Sequence, residues 1–171
     1  GVIPARGGSK RVPFKNITLF KGKALIEWAI EHAQGSVYID RFLVSTEDSA
    51  ISKHAGDNIL WRPEYLAGDK VPTEAVVIHA LYNRPGFDYA VILQPTSPLR
   101  TAADIDGCIE RAVSNGSAAL TVNERGHKNG AVYVASKEWL KHHDFSHAGY
   151  AKYIMPDERS IDIDWEHQFN E

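Results

Sequence analysis

The sequence predicts an α/β fold with a mainly parallel sheet flanked by helices. Two observations carry this reading. Short apolar runs alternate with amphipathic helical patterns from one end of the chain to the other. The strongest run, "YAVILQ" at 89–94, reads as a buried strand and stops at Pro95 and Pro98. No repeat or low-complexity linker interrupts the pattern, so the 171 residues read as one domain, 1–171, with one core.

The elements follow in order. "GVIPA" is a strand entering a glycine-rich turn. "KALIEWAIEHAQ" puts Leu25, Ile26, Ala29, Ile30 and Ala33 on one helical face, with Glu27, Glu31 and Gln34 elsewhere. "RFLVST" is a second strand and "EDSAISKHA" a short helix. "TEAVVIHALYN" is a helix with Thr73 as its N-cap. "TAADIDGCIERAVSNG" has Thr101 as N-cap, Asp104 at the capping-box position and Gly116 as its stop. "SAALTV", "GAVYVA" and "SIDID" are further strands.

Composition narrows the function classes. The apolar fraction of 43% and charged fraction of 24% are those of an ordinary globular protein. No apolar run approaches the roughly 20 residues that span a bilayer. Gly1 leads directly into Val2-Ile3 with no charged leader, and the lone Cys108 suits a reducing, cytoplasmic compartment. A net charge of −3 argues against wholesale nucleic-acid binding. His142, His143 and His147 match no zinc spacing and read as surface residues, and no G-x-S-x-G elbow is present.

Against that mildly acidic background the opening is distinctive. Arg6, Lys10, Arg11, Lys15, Lys21 and Lys23 precede the first acid, Glu27. A strand-to-loop turn with Gly7 and Gly8 presents backbone amides, which favour anions. Arg6 offers a planar fork that matches two phosphate oxygens, while Lys10 and Lys15 act as point charges. The spacing matches neither G-x-x-x-x-G-K-[ST] nor G-x-G-x-x-G, so a P-loop and a dinucleotide fold lose ground. The bland alternative is a solvated basic turn.

Two more stretches carry chemistry. In "SIDID", an extended chain turns Ile161 and Ile163 to one side and Asp162 and Asp164 to the other. The aspartates then sit about 6.6 Å apart and can converge on one cation, with Mg²⁺ the suitable ion. The alternative is an acidic edge strand facing solvent. "LQPTSPLR" displays Gln94, Thr96, Ser97 and Arg100 at the carboxyl end of the strongest strand, where open parallel sheets place ligands. Together, a basic loop and a carboxylate pair suit nucleoside triphosphate chemistry.

"IPARGGSKRVPFKN" closely resembles the signature opening of the cytidylyltransferases that activate nine-carbon 2-keto sugar acids. These are the CMP-sialic acid synthetases and their legionaminic and pseudaminic acid relatives. The resemblance continues in order through "VSTED", "RPEYLAGD", "LQPTSPLRTAADID", "NGAVYVA" and "YIMPDERSIDID". It implies a Rossmann-like nucleotidyltransferase fold of three α/β/α layers, usually a homodimer. The implied reaction joins CTP to a 2-keto sugar acid with Mg²⁺, giving a CMP-sugar and pyrophosphate. By resemblance, Arg6, Gly7, Gly8, Ser9, Lys10 and Lys15 hold the triphosphate, and Asn16, Arg62 and Thr73 contact the cytidine. Gln94 faces the sugar acid, with Thr96, Ser97 and Arg100 beside it, and Asp162 and Asp164 carry the metal.

The family normally has a few dozen more residues between the strands matching "SAALTV" and "NGAVYVA", so the expectation is a missing segment near 124–129 and missing pieces at both ends. An octulosonic-acid enzyme usually has an acidic "QGDEP"-like segment where "LQPTSPLR" stands. "SKRVP" leans toward pseudaminic enzymes and "LQPTSPLR" toward sialic or legionaminic ones; the latter is preferred because that loop lies where sugar should bind. The remaining alternatives are a sugar-phosphate nucleotidyltransferase and a non-catalytic nucleotide-binding module.

Overall fold

Parallel strands need crossover connections, and the helices anticipated from the periodicity supply them. The computed structural model describes residues 1–146 and 148–170; His147 lies outside the described residues. In chain order the elements are β1 (Val2–Pro4), β2 (Leu19–Phe20), β3 (Lys23–Ala24), α1 (Leu25–Gly35), β4 (Leu43–Thr46), α2 (Ser49–Ala55) and β5 (Ile59–Trp61). Then follow α3 (Thr73–Asn83), β6 (Tyr89–Leu93), α4 (Ala102–Ser114), β7 (Ala118–Val122), β8 (Lys128–Ser136), α5 (Lys137–Leu140) and β9 (Ala151–Ile154).

The seven-stranded sheet runs β5-β4-β1-β6-β8-β7-β9, and β2-β3 form a separate hairpin. β1 pairs in parallel with β4 and β6, β4 with β5, and β7 with β9. Within this sheet, among the described residues, β8 alone runs antiparallel to its neighbours, β6 and β7. Strand alternation divides the core between two faces. Ile3, Val91, Leu93 and Ala119 pack under α1, α2 and α4. Val2, Ala90, Ile92 and Leu120 pack under α3 and α5. The three-layer α/β/α expectation holds.

Helix ends follow their residues. Thr101 caps α4, and its amide donates to Asp104 Oδ2 at 2.8 Å. Asp48 caps α2 by accepting from the Ala50 and Ile51 amides. Thr73 is not a cap: it is the first helical residue after Pro72, which sits at φ −67° without a side-chain cap. Pro72 already holds the extended conformation that an N-cap needs.

"SIDID" does not join the sheet either. It is an irregular extended segment tied by the Ile163 amide to Thr96 O at 2.7 Å. Its alternation survives: Ile163 is buried beside Phe20 and Leu25, while Asp162 is exposed. The strand expected at the chain's end lies earlier, at β9.

Candidate active site

The carboxyl ends of β1 and β6 place the basic loop opposite "LQPTSP", with a cavity of about 170 Å³ between them. Of the residues singled out in the sequence, Arg6, Lys15, Asn16, Arg62, Thr73, Gln94 and Thr96 line it. Gly7, Gly8, Ser9 and Lys10 lie outside its lining, on the loop itself. A second cavity of about 290 Å³ adjoins it, sharing Thr73 and Gln94. A larger cavity, about 670 Å³, lies at the other ends of these strands, by Gly1, Phe42 and Tyr89, away from this chemistry.

The loop's cations are held by acids from distant parts of the chain. Arg6 and Lys10 both pair with Asp69, on the turn before α3. Hydrogen bonds from Lys10 and Arg6 hold the Asp69 carboxyl below its ordinary value. Lys15 Nζ meets Asp164 Oδ1 at 2.8 Å and Arg11 meets Asp164 Oδ2 at 2.6 Å. Lys15 thus lines the cavity and touches the carboxylate pair, joining segments 149 residues apart in sequence.

The Gly7 amide is not free for an anion, which corrects the bare-amide expectation. It donates to Glu47 Oε1 at 2.8 Å, and Glu47 Oε2 accepts from Arg62 Nε at 2.8 Å. Glu47 therefore fixes both the turn and Arg62, whose buried Nη2 is left without a protein partner. That nitrogen is a candidate donor to a ligand in the adjoining cavity. Glycine at position 7 has a steric cause: a Cβ there would lie 2.2 Å from Asp48 Oδ2. Asn16 Nδ2 donates to Arg6 O at 2.9 Å and closes the loop from below.

Two expected substrate contacts do not reach either cavity. Ser97 and Arg100 are 0% and 1% exposed. Arg100 Nη1 donates to Gln94 O at 2.6 Å and Ala131 O at 2.9 Å, strapping the proline-rich loop to β8. A long side chain at the start of a helix folds inward here because two backbone carbonyls need a donor. Arg100 acts on the shape of the loop and leaves Gln94 and Thr96 to face the cavity.

The two aspartates differ in environment. Although Asp162 is exposed as a residue, desolvation of its carboxyl raises its pKa; the Thr96 side chain opposes this, and Asp164 adds repulsion. Asp164 moves down: desolvation acts upward, but Lys15 and Arg11 outweigh it. Among the described residues no group of three His, Cys, Asp or Glu converges on a metal position.

Asp162 also leans on Gly130, where a Cβ would lie 3.3 Å from Asp162 Oδ2 and φ is +76°. Gly130→Ala should lower stability by about 1 kcal/mol through the left-handed backbone alone. It should also lower turnover beyond what that loss explains, as thermal melts paired with rates on CTP would show. Unchanged turnover would mean that Gly130 does not set the position of Asp162.

Sequence reasoning missed Glu47, Asp69 and Asn129. Buried Asn129 accepts from Thr121 Oγ1 at 2.6 Å and donates to Ser160 Oγ at 3.0 Å, sewing β7 and β8 to the segment that leads to Asp162. Its signal in the sequence was the Asn-Gly pair at 129–130.

Comparison with known proteins gives the family. A family model described as Cytidylyltransferase matches residues 1–155. The chain belongs to the cytidylyltransferase family. Its family relatives include a CMP-N,N'-diacetyllegionaminic acid synthase of Legionella pneumophila, 37% identical over 71% of this chain and 56% of that protein. The N-acylneuraminate cytidylyltransferase of Escherichia coli O18:K1:H7 is 29% identical over 95% of this chain and 48% of that protein. The chain thus spans about half the length of these curated relatives. The Escherichia coli alignment runs over 203 positions, more than the 171 residues of this chain, so the relative has residues inside the match that this chain lacks. Among solved structures, a CMP:2-keto-3-deoxy-manno-octonic acid synthetase complexed with CTP superposes with a TM-score of 0.80 at 13% identity, over 99% of this chain and 94% of that one. At that identity the likeness speaks for the fold.

Proposed function

We propose that this cytidylyltransferase transfers the cytidylyl group of CTP to a nine-carbon 2-keto sugar acid of the sialic or legionaminic type, releasing pyrophosphate. The observation that carries the reading is the Lys15–Asp164 contact: Lys15 lines the cavity and reaches the carboxylate pair, which lies outside that lining. In this reading Arg6, Ser9, Lys10 and Lys15 take the triphosphate, exchanging Asp69 and Asp164 for phosphate oxygens. The carboxylates hold those cations in place until the nucleotide arrives. Asn16, Arg62 and Thr73 face the cytidine, and Gln94 and Thr96 face the acceptor.

The acceptor's anomeric hydroxyl loses its proton, ultimately to solvent, its oxygen bonds the α-phosphorus, and the bond from that phosphorus to the bridging oxygen of the β-phosphate breaks, so that pyrophosphate leaves. The chain contributes positioning and charge neutralisation. Asp162 and Asp164 would hold the divalent cation, Mg²⁺ by family resemblance. When bound, that ion would supply charge for the leaving pyrophosphate. A homodimer and a reducing, cytoplasmic compartment belong to the same reading.

The test is pyrophosphate release with each of the four NTPs, Mg²⁺ and a panel of acceptors: sialic, legionaminic, pseudaminic and eight-carbon octulosonic acids, and sugar phosphates. Release is expected with CTP and a nine-carbon acid. No CTP-dependent release with any such acid would reject the reading.

A further inference from the structure

Burial of Arg100 leaves the acceptor site without the cation that the sequence suggested for it. A 2-keto sugar acid carries its carboxylate on the carbon next to the reacting one, so an anion must be met close to Gln94. The second cavity, which shares Gln94 and Thr73 with the first, is the space available. At about 290 Å³ it is near the lower end of small-molecule sites. Among the described residues that line it, Lys128 alone carries a positive charge.

We propose that Lys128 binds the carboxylate of the acceptor sugar acid and so selects an acidic acceptor over a neutral one; this rests on the cytidylyltransferase reading above. Its Nζ donates to the backbone carbonyl of Phe145 and lies 4.9 Å from the centroid of the Tyr150 ring. A neutral carbonyl is readily exchanged for a carboxylate, whereas a protein carboxylate would compete with the ligand's.

The backbone explains how Lys128 reaches this space. Leu120 pairs with Tyr133 but Val122 pairs with Lys128, so two steps along β7 span five along β8. In a regular strand, residues five apart face opposite ways. The odd excess restores them to one face, so Lys128 and Tyr133 line the same cavity. Gly130, two residues from Lys128, lies against the Asp162 carboxyl, so this part of β8 adjoins the reacting centre. Burial, then the charges of Asp162 and Glu74, raise the Tyr133 hydroxyl's pKa, so it stays protonated and able to donate. Glu74 Oε1 accepts from the Phe145 amide at 2.9 Å, holding in place the residue that Lys128 contacts. One lysine beside one glutamate fits a single carboxylate better than a doubly charged sugar phosphate.

The experiment pairs Lys128→Met with an acceptor whose carboxylate is masked as its methyl ester. The acid is whichever one the wild type turns over. Lys128→Met should raise KM for the acid by about 10- to 100-fold, the worth of one charged hydrogen bond, with KM for CTP unchanged. The wild type should discriminate acid from ester by a similar factor, and Lys128→Met should discriminate hardly at all. Lys128→Arg should recover part of the preference. A merely structural lysine would shift both acceptors together. If the wild type turns over the acid and Lys128→Met keeps its acid KM or its full preference over the ester, Lys128 is not the counter-ion, while the cytidylyltransferase reading stands. If the wild type releases no pyrophosphate with any acid, both fall.

Discussion

Asp162→Asn and Asp164→Asn should each lower turnover by about three orders of magnitude while leaving the melting temperature nearly unchanged. An amide keeps the size of the carboxylate but loses the charge that would hold a divalent ion, and charge placed at the reacting phosphate is a dominant part of such catalysis. Neither side chain supports the core. Asp162 is exposed, and Asp164 is partly exposed on the same segment, where buried Ile163 provides the anchor. The two variants should differ in detail. Asp164→Asn releases Lys15 and Arg11, so KM for CTP should hold or fall. Asp162→Asn removes a group that none of the described salt bridges engages, so beyond its loss of turnover it should raise the Mg²⁺ concentration needed for half-maximal rate. Full activity in both would remove the metal assignment.

Asp104→Ala is the larger structural lesion. The Asp104 side chain is 1% exposed and its two oxygens receive the Arg159 fork, at 2.8 Å to Nη2 and 3.1 Å to Nε, together with the Thr101 amide and hydroxyl. Removing it strands a partly buried guanidinium and takes away the Asp104 half of the α4 capping box, a loss of about 3 kcal/mol. For a chain of this size that is a fall in melting temperature of about 6–12 °C. Arg159 precedes Asp162 by three residues, so turnover should fall as well. Calorimetry and pyrophosphate release on one preparation would separate the effects. A stability change within about 0.5 kcal/mol, as for an ordinary surface site, would overturn the assignment.

The pH dependence follows from the same contacts. Burial alone raises the Asp104 carboxyl, but Arg159 and Thr101 outweigh it, and its folded value lies below the ordinary one. The contribution is therefore present above the ordinary carboxylate range and is lost as pH falls through the lowered value. The stability gap between wild type and Asp104→Ala should narrow below about pH 4.

Local chemistry was legible in the sequence because it is settled within a few residues. The apolar face of α1, the Thr101–Asp104 capping box and the strand at 89–93 depend on spacing and on near neighbours. The basic loop, the proline-rich loop and the paired aspartates were legible for the same reason: each is one short stretch of unusual composition. The strand expected at 160–164 failed because alternation records which side faces the core and says nothing of a hydrogen-bonded neighbour. β5, of three residues, and β9, of four, passed unnoticed.

The sequence by itself determined the α/β order, the helix faces and the stock of cations and carboxylates that the site draws on. Only the tertiary structure decided who partners whom. Asp69 and Asp164 meet the loop's cations across 63 and 153 residues, and Glu47 meets Gly7 across 40. Arg100 turned inward because two carbonyls needed a donor, and an odd bulge in β8 turned Lys128 toward the second cavity. Charge and hydrogen bonding act through space, and the distances that count for them are set by the fold and not by separation along the chain.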